Sequence, residues 1–510
     1  MKYITCIVFA LVSFATAQSP QNLISDEALA LVVIQDGERI KKSIQTISAE
    51  VGDRSDQGVL DALLSQFVKN PEAVDLEAEV IFAIEPGSVP EGQKPIGMFG
   101  PMPHLVMVCK PIEGKKLILN PFGGVNVSTV VDGWFVASGG NSWSPPSTDS
   151  LSPLFAELPD GQLTFKIKFG ALWSQVGPIT QMAGGMMIGQ MNKPGPTGTI
   201  EPETRKRTAV ISQAFRQLMQ FCAKIQSLAG NISIVDGKVE TRFSIDQKNP
   251  IPLAIDNSAM EEMATQIQSQ ALQYTMSGDF TRLLLNYQLH LLRNENDGFP
   301  VVAVTEGMRE LADIQGDNVV MYGLEPKNGL TIAALAETTD IQEYLDRVPA
   351  LIDEMASQFA EEFRMKLTPS ENKSDHWDVQ MLGVDEEDMQ IMNAVITTTT
   401  TLSFEEIYGK IGFVFGSSKP FTNTQHETRL SRLIAANDDL SIAMAVTMDV
   451  REFAYGFLQV AEQAGTDQGK KIAATPPAIV ECVLGANDSG FVFTFQADML
   501  GLGRVTSEMN

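Results

Sequence analysis

Apolar and polar residues alternate with a period of two in several segments, and this pattern predicts β-strands. Residues 163–169 and 440–448 alternate most regularly, as expected for strands with one buried face. The apolar residues 28–34 predict a further strand. Asp132-Gly133 and Asp236-Gly237 each separate two strand-like segments, which is typical of a hairpin with a type I′ turn. The first half of the chain is therefore expected to contain an antiparallel sheet.

The second half repeats this order of elements. It has a hairpin with a predicted turn at Gly409-Lys410, then strand 440–448, then a hairpin over residues 479–496 with its turn at 485–490. Aligning Phe135 with Phe413 also brings the predicted strands 163–169 and 440–448 almost into register. Such internal similarity indicates a duplication, although hairpins recur in many α+β proteins.

Long amphipathic helices are predicted between the strands. The apolar positions from Ile211 to Ala229 are three and four residues apart, and Gly230 is expected to terminate that helix in a left-handed conformation. A second helix of this type spans 341–359, with Thr339 as its predicted cap and a kink at Pro349. Asp449 is expected to cap a third helix. These patterns favour packing within the protein over a coiled coil with a partner.

The predicted fold class is α+β, with two related lobes that each have an antiparallel sheet packed against long amphipathic helices. The linker around Pro250 and Pro252 interrupts regular structure and indicates the boundary. The expected division is a signal peptide over residues 1–17, an N-terminal lobe over 18–255 and a C-terminal lobe over 256–510.

The N-terminal segment resembles a secretory signal peptide. Lys2 precedes a short apolar stretch over residues 4–14, and Ala15-Thr16-Ala17 is a small-residue cleavage site, as in such signals. The apolar stretch is shorter than the ~20 residues that cross a bilayer. We therefore expect cleavage between Ala17 and Gln18, no stable membrane span in the mature chain, and a periplasmic or extracellular location.

The charge of the chain argues against binding to nucleic acid. Its net charge is −26, and a strongly acidic surface repels polyanions. The mature chain would keep Cys109, Cys222 and Cys482, which are too few for a disulfide framework. We expect them to be small buried residues, with the possibility of one disulfide left open. The sequence leaves the oligomeric state undetermined.

Motifs of enzyme active sites are scarce. The chain lacks the nucleophile elbow, the phosphate-binding loop and the paired histidines of zinc enzymes. The cluster around His376 includes Asp375 and Asp378 but is more typical of a polar turn entering a strand. No catalytic, cofactor-binding or metal-binding residue is therefore predicted, and no cofactor is expected. A secreted hydrolase with a dispersed acidic site is the alternative, since such sites are recognised by geometry.

One segment is unusual, because residues 169–192 carry no charge. Its second half is rich in methionine and glycine, and Gly185 and Gly189 form a Gly-x-x-x-Gly pair. A membrane span is disfavoured by the glutamines, and a buried core helix is the simplest interpretation. The alternative is an adaptable apolar surface for a lipid or a partner, because methionine side chains fit irregular ligands. The candidate ligand surface comprises Met182, Met186, Met187 and Met191.

Residues 132–138, the segment 158–163, the predicted helix from Glu203 to Leu228 and the hairpin at Asp236-Gly237 form an order of elements that resembles a group of uncharacterised exported proteins from planctomycete-type bacteria. The resemblance is clearest over residues 100–250 and implies an exported α+β protein. That group has no established activity, so the resemblance assigns no functional residue.

Taken together, these features favour a non-enzymatic exported protein. Its expected task is to bind an apolar ligand or an envelope partner, such as a lipid or an envelope protein, or to serve a structural role in the envelope.

Overall fold

The structure is a computed structural model. It describes residues 19–51, 59–87, 103–120, 127–139, 152–191, 202–250, 257–268, 271–278, 280–281, 319–326, 331–362, 365–370, 376–381, 401–416, 421–423, 426–460 and 465–509. The predicted signal peptide and its cleavage site lie outside these residues, as does Asp375.

The described strands form one continuous antiparallel sheet of 18 strands. The α+β class is confirmed in this general sense. The strands are β1 (Ala30–Ile34), β2 (Val80–Glu85), β3 (His104–Cys109), β4 (Val127–Val131), β5 (Trp134–Ser138), β6 (Leu163–Ile167), β7 (Ile225–Val235), β8 (Lys238–Gln247), β9 (Leu272–Ser277), β10 (Val319–Glu325), β11 (Thr331–Ala336), β12 (Met365–Pro369), β13 (His376–Met381), β14 (Thr401–Ile407), β15 (Lys410–Gly416), β16 (Ser441–Asp449), β17 (Ile479–Asn487) and β18 (Gly490–Asp498).

Helices connect these strands and cover the sheet. They are α1 (Gly37–Val51), α2 (Val59–Ser65), α3 (Pro153–Ala156), α4 (Phe169–Met191), α5 (Pro202–Cys222), α6 (Asn257–Ala264), α7 (Ile341–Glu362), α8 (Arg429–Ala435), α9 (Val450–Val460), α10 (Asp467–Ala474) and α11 (Met499–Met509). Short 3-10 turns lie at Pro20–Leu23 and Pro71–Ala73.

The strand order is the same on both sides of the centre of the sheet. Outward from the centre, the first half runs β8, β7, β6, β1, β2, β3, β5, β4. The second half runs β18, β17, β16, β9, β10, β11, β15, β14 and adds β13 and β12. The halves meet where Arg242 of β8 lies opposite Thr494 of β18. Asp236 and Asp488 begin the turns of the hairpins β7–β8 and β17–β18 and are separated by the same number of residues as Arg242 and Thr494. Arg242 and Thr494 are therefore equivalent positions in the two hairpins.

The backbone at the hairpin turns confirms two predictions and corrects a third. Asp132 and Asp236 have φ of 50° and 51°, each followed by a left-handed glycine, as a type I′ turn requires. The third turn lies at Tyr408-Gly409, with φ of 53° and 74°, and not at Gly409-Lys410. Glycine takes the second central position in all three turns, so Asp132 is equivalent to Tyr408 and the alignment of Phe135 with Phe413 is shifted.

Each half of the sheet has apolar side chains on both faces. On the first face, Phe82 and Met107 pack with residues of α1 and α2 in one half, and Trp377 and Phe404 pack with α7 in the other. On the second face, Ile81 and the helix α3 form one core, while α6 and α8 cover the other. The sheet is therefore the middle layer of the protein.

The helix predicted from Ile211 to Ala229 is shorter than expected. It ends at Cys222, and Ile225 already begins β7. Gly230 lies inside that strand, where a Cβ atom would be 2.6 Å from Phe243 and 2.7 Å from Phe165. The glycine is therefore explained by two aromatic rings packed against the backbone, and not by a helix cap.

The helix termini show how side chains set the caps. At α7, the Asp340 carboxylate accepts a hydrogen bond from the Glu343 N–H at 2.9 Å, so Asp340 caps this helix and the prediction of Thr339 was wrong by one residue. The helix continues through Pro349. At α9, Asp449 Oδ1 accepts from the N–H groups of Arg451 and Glu452, which confirms the predicted cap.

Cys109, Cys222 and Cys482 are free thiols. Cys109 is fully buried as predicted, whereas the prediction was wrong for Cys222 and Cys482, which are only partly buried. Burial raises the pKa of the Cys109 thiol to about 12, so this thiol is protonated at neutral pH. Within the described residues, no helix combines the length and apolar character needed to cross a membrane.

Candidate functional site

The four methionines of the predicted ligand surface lie exposed on α4. Their exposed fractions are 39% for Met182, 58% for Met186, 53% for Met187 and 41% for Met191. Only Gly177 and Gly184 are buried in this helix. The interpretation of α4 as a buried core helix is therefore wrong, and the adaptable apolar surface stays a prediction.

A close approach between two helices holds α4 in place. The ring of Phe215 on α5 lies against Gly184, where an added Cβ would be 2.1 Å from the ring. Gly185 and Gly189 have no atom within 4 Å of such a Cβ. The Gly-x-x-x-Gly pair noted in the sequence is therefore not the contact. The contact is made by the neighbouring Gly184, which faces α5.

Helix α5 also carries exposed apolar side chains. Ile211 is 40% exposed, Leu218 54% and Phe221 41%. The apolar spacing of this helix predicted packing within the protein, but Ile211 and Leu218 from that pattern face solvent. We name the seven exposed side chains the α4–α5 apolar surface: Met182, Met186, Met187, Met191, Ile211, Leu218 and Phe221.

A groove of about 390 Å³ lies between α4 and α5. Ile188, Phe215 and Met219 supply apolar walls, and Arg216 stands among the lining residues. The Arg216 Nε donates a long hydrogen bond of 3.4 Å to the carbonyl of Ser212. Gln181, Ser212 and Gln220 also line the groove, which thus combines apolar and polar walls with one guanidinium group.

A larger cleft of about 700 Å³ lies on the second face of the sheet, where the two halves meet. Strands β7, β8, β18 and β17 form its floor, and α8 forms one wall. Its basic lining residues are Lys238, Arg242, Arg429 and Arg432. Its acidic lining residues are Glu240, Glu481 and Asp498.

Two of these cations are held by aspartates beside the cleft. Arg429 Nη1 lies 3.2 Å from Asp449 Oδ2, and the Asp449 carboxylate is fully buried. Asp449 also accepts hydrogen bonds from backbone N–H groups, which fixes its position. Arg242 Nη2 lies 2.9 Å from Asp439 Oδ2 on a more exposed part of the surface.

The carboxylates of the cleft are engaged by their neighbours. Glu240 accepts a hydrogen bond of 3.0 Å from Gln496, and Asp498 accepts one of 2.9 Å from the Gly501 N–H. Burial raises the pKa of Glu481, although Thr447, Arg429 and Arg432 act in the opposite direction. The acidic hydrolase stays a prediction, because these contacts show no pair of carboxylates set across a substrate.

The histidine motif noted in the sequence has a structural explanation. His376 begins β13, and Trp377 is 3% exposed in the core beneath α7. Elsewhere, His104 Nε2 lies 3.5 Å from Glu85 Oε2. Among the described residues, no group of three or more His, Cys, Asp or Glu side chains is arranged to hold a metal ion.

No local pattern in the sequence predicts the cleft. Its floor joins β7 and β8 to β17 and β18, which belong to the other half of the chain. One local signal was present in β8, where Lys238, Glu240 and Arg242 alternate with Val239 and Thr241. A second signal is that Arg429 and Arg432 are one helical turn apart. Neither pattern shows that the two charged surfaces meet.

Comparison with known proteins adds no relative. No protein-family model, curated protein sequence or solved structure matches this chain. The function is therefore inferred from the geometry of the two sites.

Proposed function

We propose that this chain is an exported, non-enzymatic binding protein whose α4–α5 apolar surface holds an amphiphile, that is, an acyl chain with an anionic head group. The observation that carries the proposal is the exposure of Met182, Met186, Met187 and Met191 on a helix without a charged residue. Contiguous apolar patches on a protein surface are typical of binding sites.

The side chains of this surface suit a flexible apolar ligand. Methionine is unbranched and polarisable, so it repacks around ligands of irregular shape. Covering one such side chain completely contributes about 1.5–3 kcal/mol. Met186 and Met187, each more than half exposed, would supply the largest gain when a ligand covers them.

The groove between α4 and α5 favours an amphiphile over a hydrocarbon without a head group. Phe215 and Met219 provide apolar contacts, while the Arg216 guanidinium can bind a carboxylate or phosphate in two-point geometry. None of the four exposed methionines lines the groove, so an acyl chain would have to leave the groove to cover those side chains on α4. A lipid is thus better supported than an envelope protein.

The scaffold that presents this surface is proposed to consist of two related lobes, over residues 18–255 and 256–510. Support comes from the strand order, which is the same in the two halves of the sheet, and from the pairing of Arg242 with Thr494 at its centre. The two lobes share one sheet, and α11 returns to the first lobe, where Arg504 pairs with Glu50 at 3.6 Å.

Calorimetric titration with palmitate tests the proposal. The wild-type chain is expected to bind palmitate saturably, and the double variant Met186→Glu, Met187→Glu is expected to bind it at least ~10-fold more weakly, because covering the two side chains would no longer be favourable. Met509→Glu is the matched control, since Met509 is 53% exposed but belongs to α11.

Two results would overturn the proposal. One is the lack of saturable palmitate binding by folded wild-type protein. The other is equal binding by the double variant and by Met509→Glu, since the methionines would then contribute nothing. Circular dichroism of each variant checks that the helices are intact.

A further inference from the structure

We propose that the cleft on the second face is a separate binding site for a small multivalent anion, one that carries two or more carboxylate or phosphate groups. This site is independent of the α4–α5 apolar surface. It lies on the central strands β7, β8, β17 and β18, and α8 supplies the wall that holds two arginines.

The cleft is richer in basic residues than the chain as a whole. The chain has 63 acidic and 37 basic residues, whereas the cleft lining has four basic and three acidic ones. Because this surplus of basic residues is small, binding of an anion depends on the cations that have no acidic partner.

Two of the four cations in the cleft are already neutralised. Arg242 and Arg429 have aspartate partners. Within the part of the chain that the structure describes, Arg432 and Lys238 form no ion pair within 4.0 Å. Their charges interact with Glu481 only at longer range. A ligand anion placed between α8 and β8 would give both cations a direct partner.

Hydrogen bonds hold the wall that α8 forms. Asp449 Oδ1 accepts from the N–H groups of Arg451 and Ala478, and its Oδ2 holds Arg429 at 3.2 Å. These contacts fix the first turn of α8, and a wall that is ordered before binding loses less freedom when a ligand binds, which favours affinity. Helix α8 itself is anchored by the capping box between Thr428 and Ser431.

The other half of the chain lacks this wall. The helix α3 occupies the corresponding place before β6, as α8 does before β16, but Pro153–Ala156 contains no basic residue. Of these two helices, only α8 carries basic residues. Packing alone does not explain the arginines of α8, because the related helix α3 packs on its core without arginines.

Glu481 makes the proposal specific. This half-buried carboxylate lies among Arg429, Arg432 and Lys238, so it competes with a ligand anion for the same cations. Replacing it by the isosteric glutamine removes that competition and the repulsion. Affinity for an anion should rise in this variant, an outcome that damage to the fold would not produce.

The test is calorimetric titration with pyrophosphate and, separately, citrate at constant ionic strength. Wild-type protein should bind at least one of them saturably. Arg432→Gln and Lys238→Gln should each weaken binding about 5- to 20-fold, whereas Glu481→Gln should strengthen it several-fold. The control Arg347→Gln removes an exposed arginine on α7 and should leave affinity unchanged.

The pair of probes distinguishes phosphate from carboxylate ligands. Absence of saturable binding to both probes would overturn the proposal. So would equal losses in Arg347→Gln and Arg432→Gln, which would indicate general charge attraction, or unchanged affinity in Glu481→Gln. Palmitate binding to the same variants should match wild type, which separates failure at this site from failure at the α4–α5 apolar surface.

Discussion

Helices α4 and α9 follow equivalent strands but have different surroundings. Helix α4 begins at Phe169 directly after β6, and α9 begins at Val450 directly after β16. Helix α9 packs with α10 and α11 in a common apolar core. Helix α4 packs against α5, while its four methionines remain exposed.

The comparison shows what the scaffold requires and what it does not. In the second half, the helix at this position packs against two other helices, although its Phe457 is 37% exposed, and it is capped by the buried Asp449. In the first half, Lys168 stands at the equivalent place before α4, where a cation is unfavourable for the helix dipole. A cap and two covering helices are therefore not required at this position, and the exposed side of α4 is the surface for which we propose a binding role.

The largest expected effect is at the cap of α9. Asp449→Ala should reduce the free energy of unfolding by about 3 kcal/mol, because it deprives Arg429 and the helix N–H groups of a fully buried acceptor. Lys168→Ala should change it by less than about 0.5 kcal/mol. Urea unfolding measures both, and similar losses would contradict the difference between the two helices.

The next effect concerns how α4 is held. Gly184→Leu should destabilise the protein by about 1–3 kcal/mol, because the side chain would overlap the ring of Phe215. Gly185→Leu, one residue further, projects into open space and should be neutral or stabilising through helix propensity. Thermal unfolding of the pair tests this. Equal melting temperatures would mean that α4 is not packed on α5.

The smallest effect is expected in the cleft and depends on pH. The pKa of Glu481 is raised in the folded protein, so the folded state binds this proton more tightly and loses stability as the pH rises past the unfolded value. Glu481→Gln should therefore be more stable than wild type at pH 7, and the advantage should vanish below about pH 4. Denaturant unfolding at both pH values measures it, and an advantage that persists at low pH would contradict the assigned cause.

Local patterns in the sequence were sufficient to predict much of the fold. The strand predicted over 440–448, the turn at Asp236-Gly237 and the cap at Asp449 were all confirmed, since each depends on neighbouring residues. The regular alternation of that strand was not confirmed, because a register shift lies between Ile442 and Met444. The predicted end of α5 was wrong, because Ile225 and Ala229 fit the helical spacing although they lie in β7. Sheet pairing overrode the local pattern there.

The candidate sites were predictable to different degrees. The absence of charge marked α4 as unusual, but whether Met186 is buried depends on what packs against the helix, which no local pattern contains. The cleft depends on β8 pairing with β18, and on α8 lying over that junction. Such long-range pairing brings Arg432 and Lys238 together only in the folded chain.

Native mass spectrometry of the protein, purified without detergent from its native host, tests the central claim most directly. We expect an added mass that corresponds to an acyl amphiphile, retained in Met509→Glu and lost in the double variant Met186→Glu, Met187→Glu. A wild-type spectrum that contains the ligand-free mass alone, or an added mass that persists in the double variant, would contradict the assignment of the α4–α5 apolar surface as a lipid-binding site.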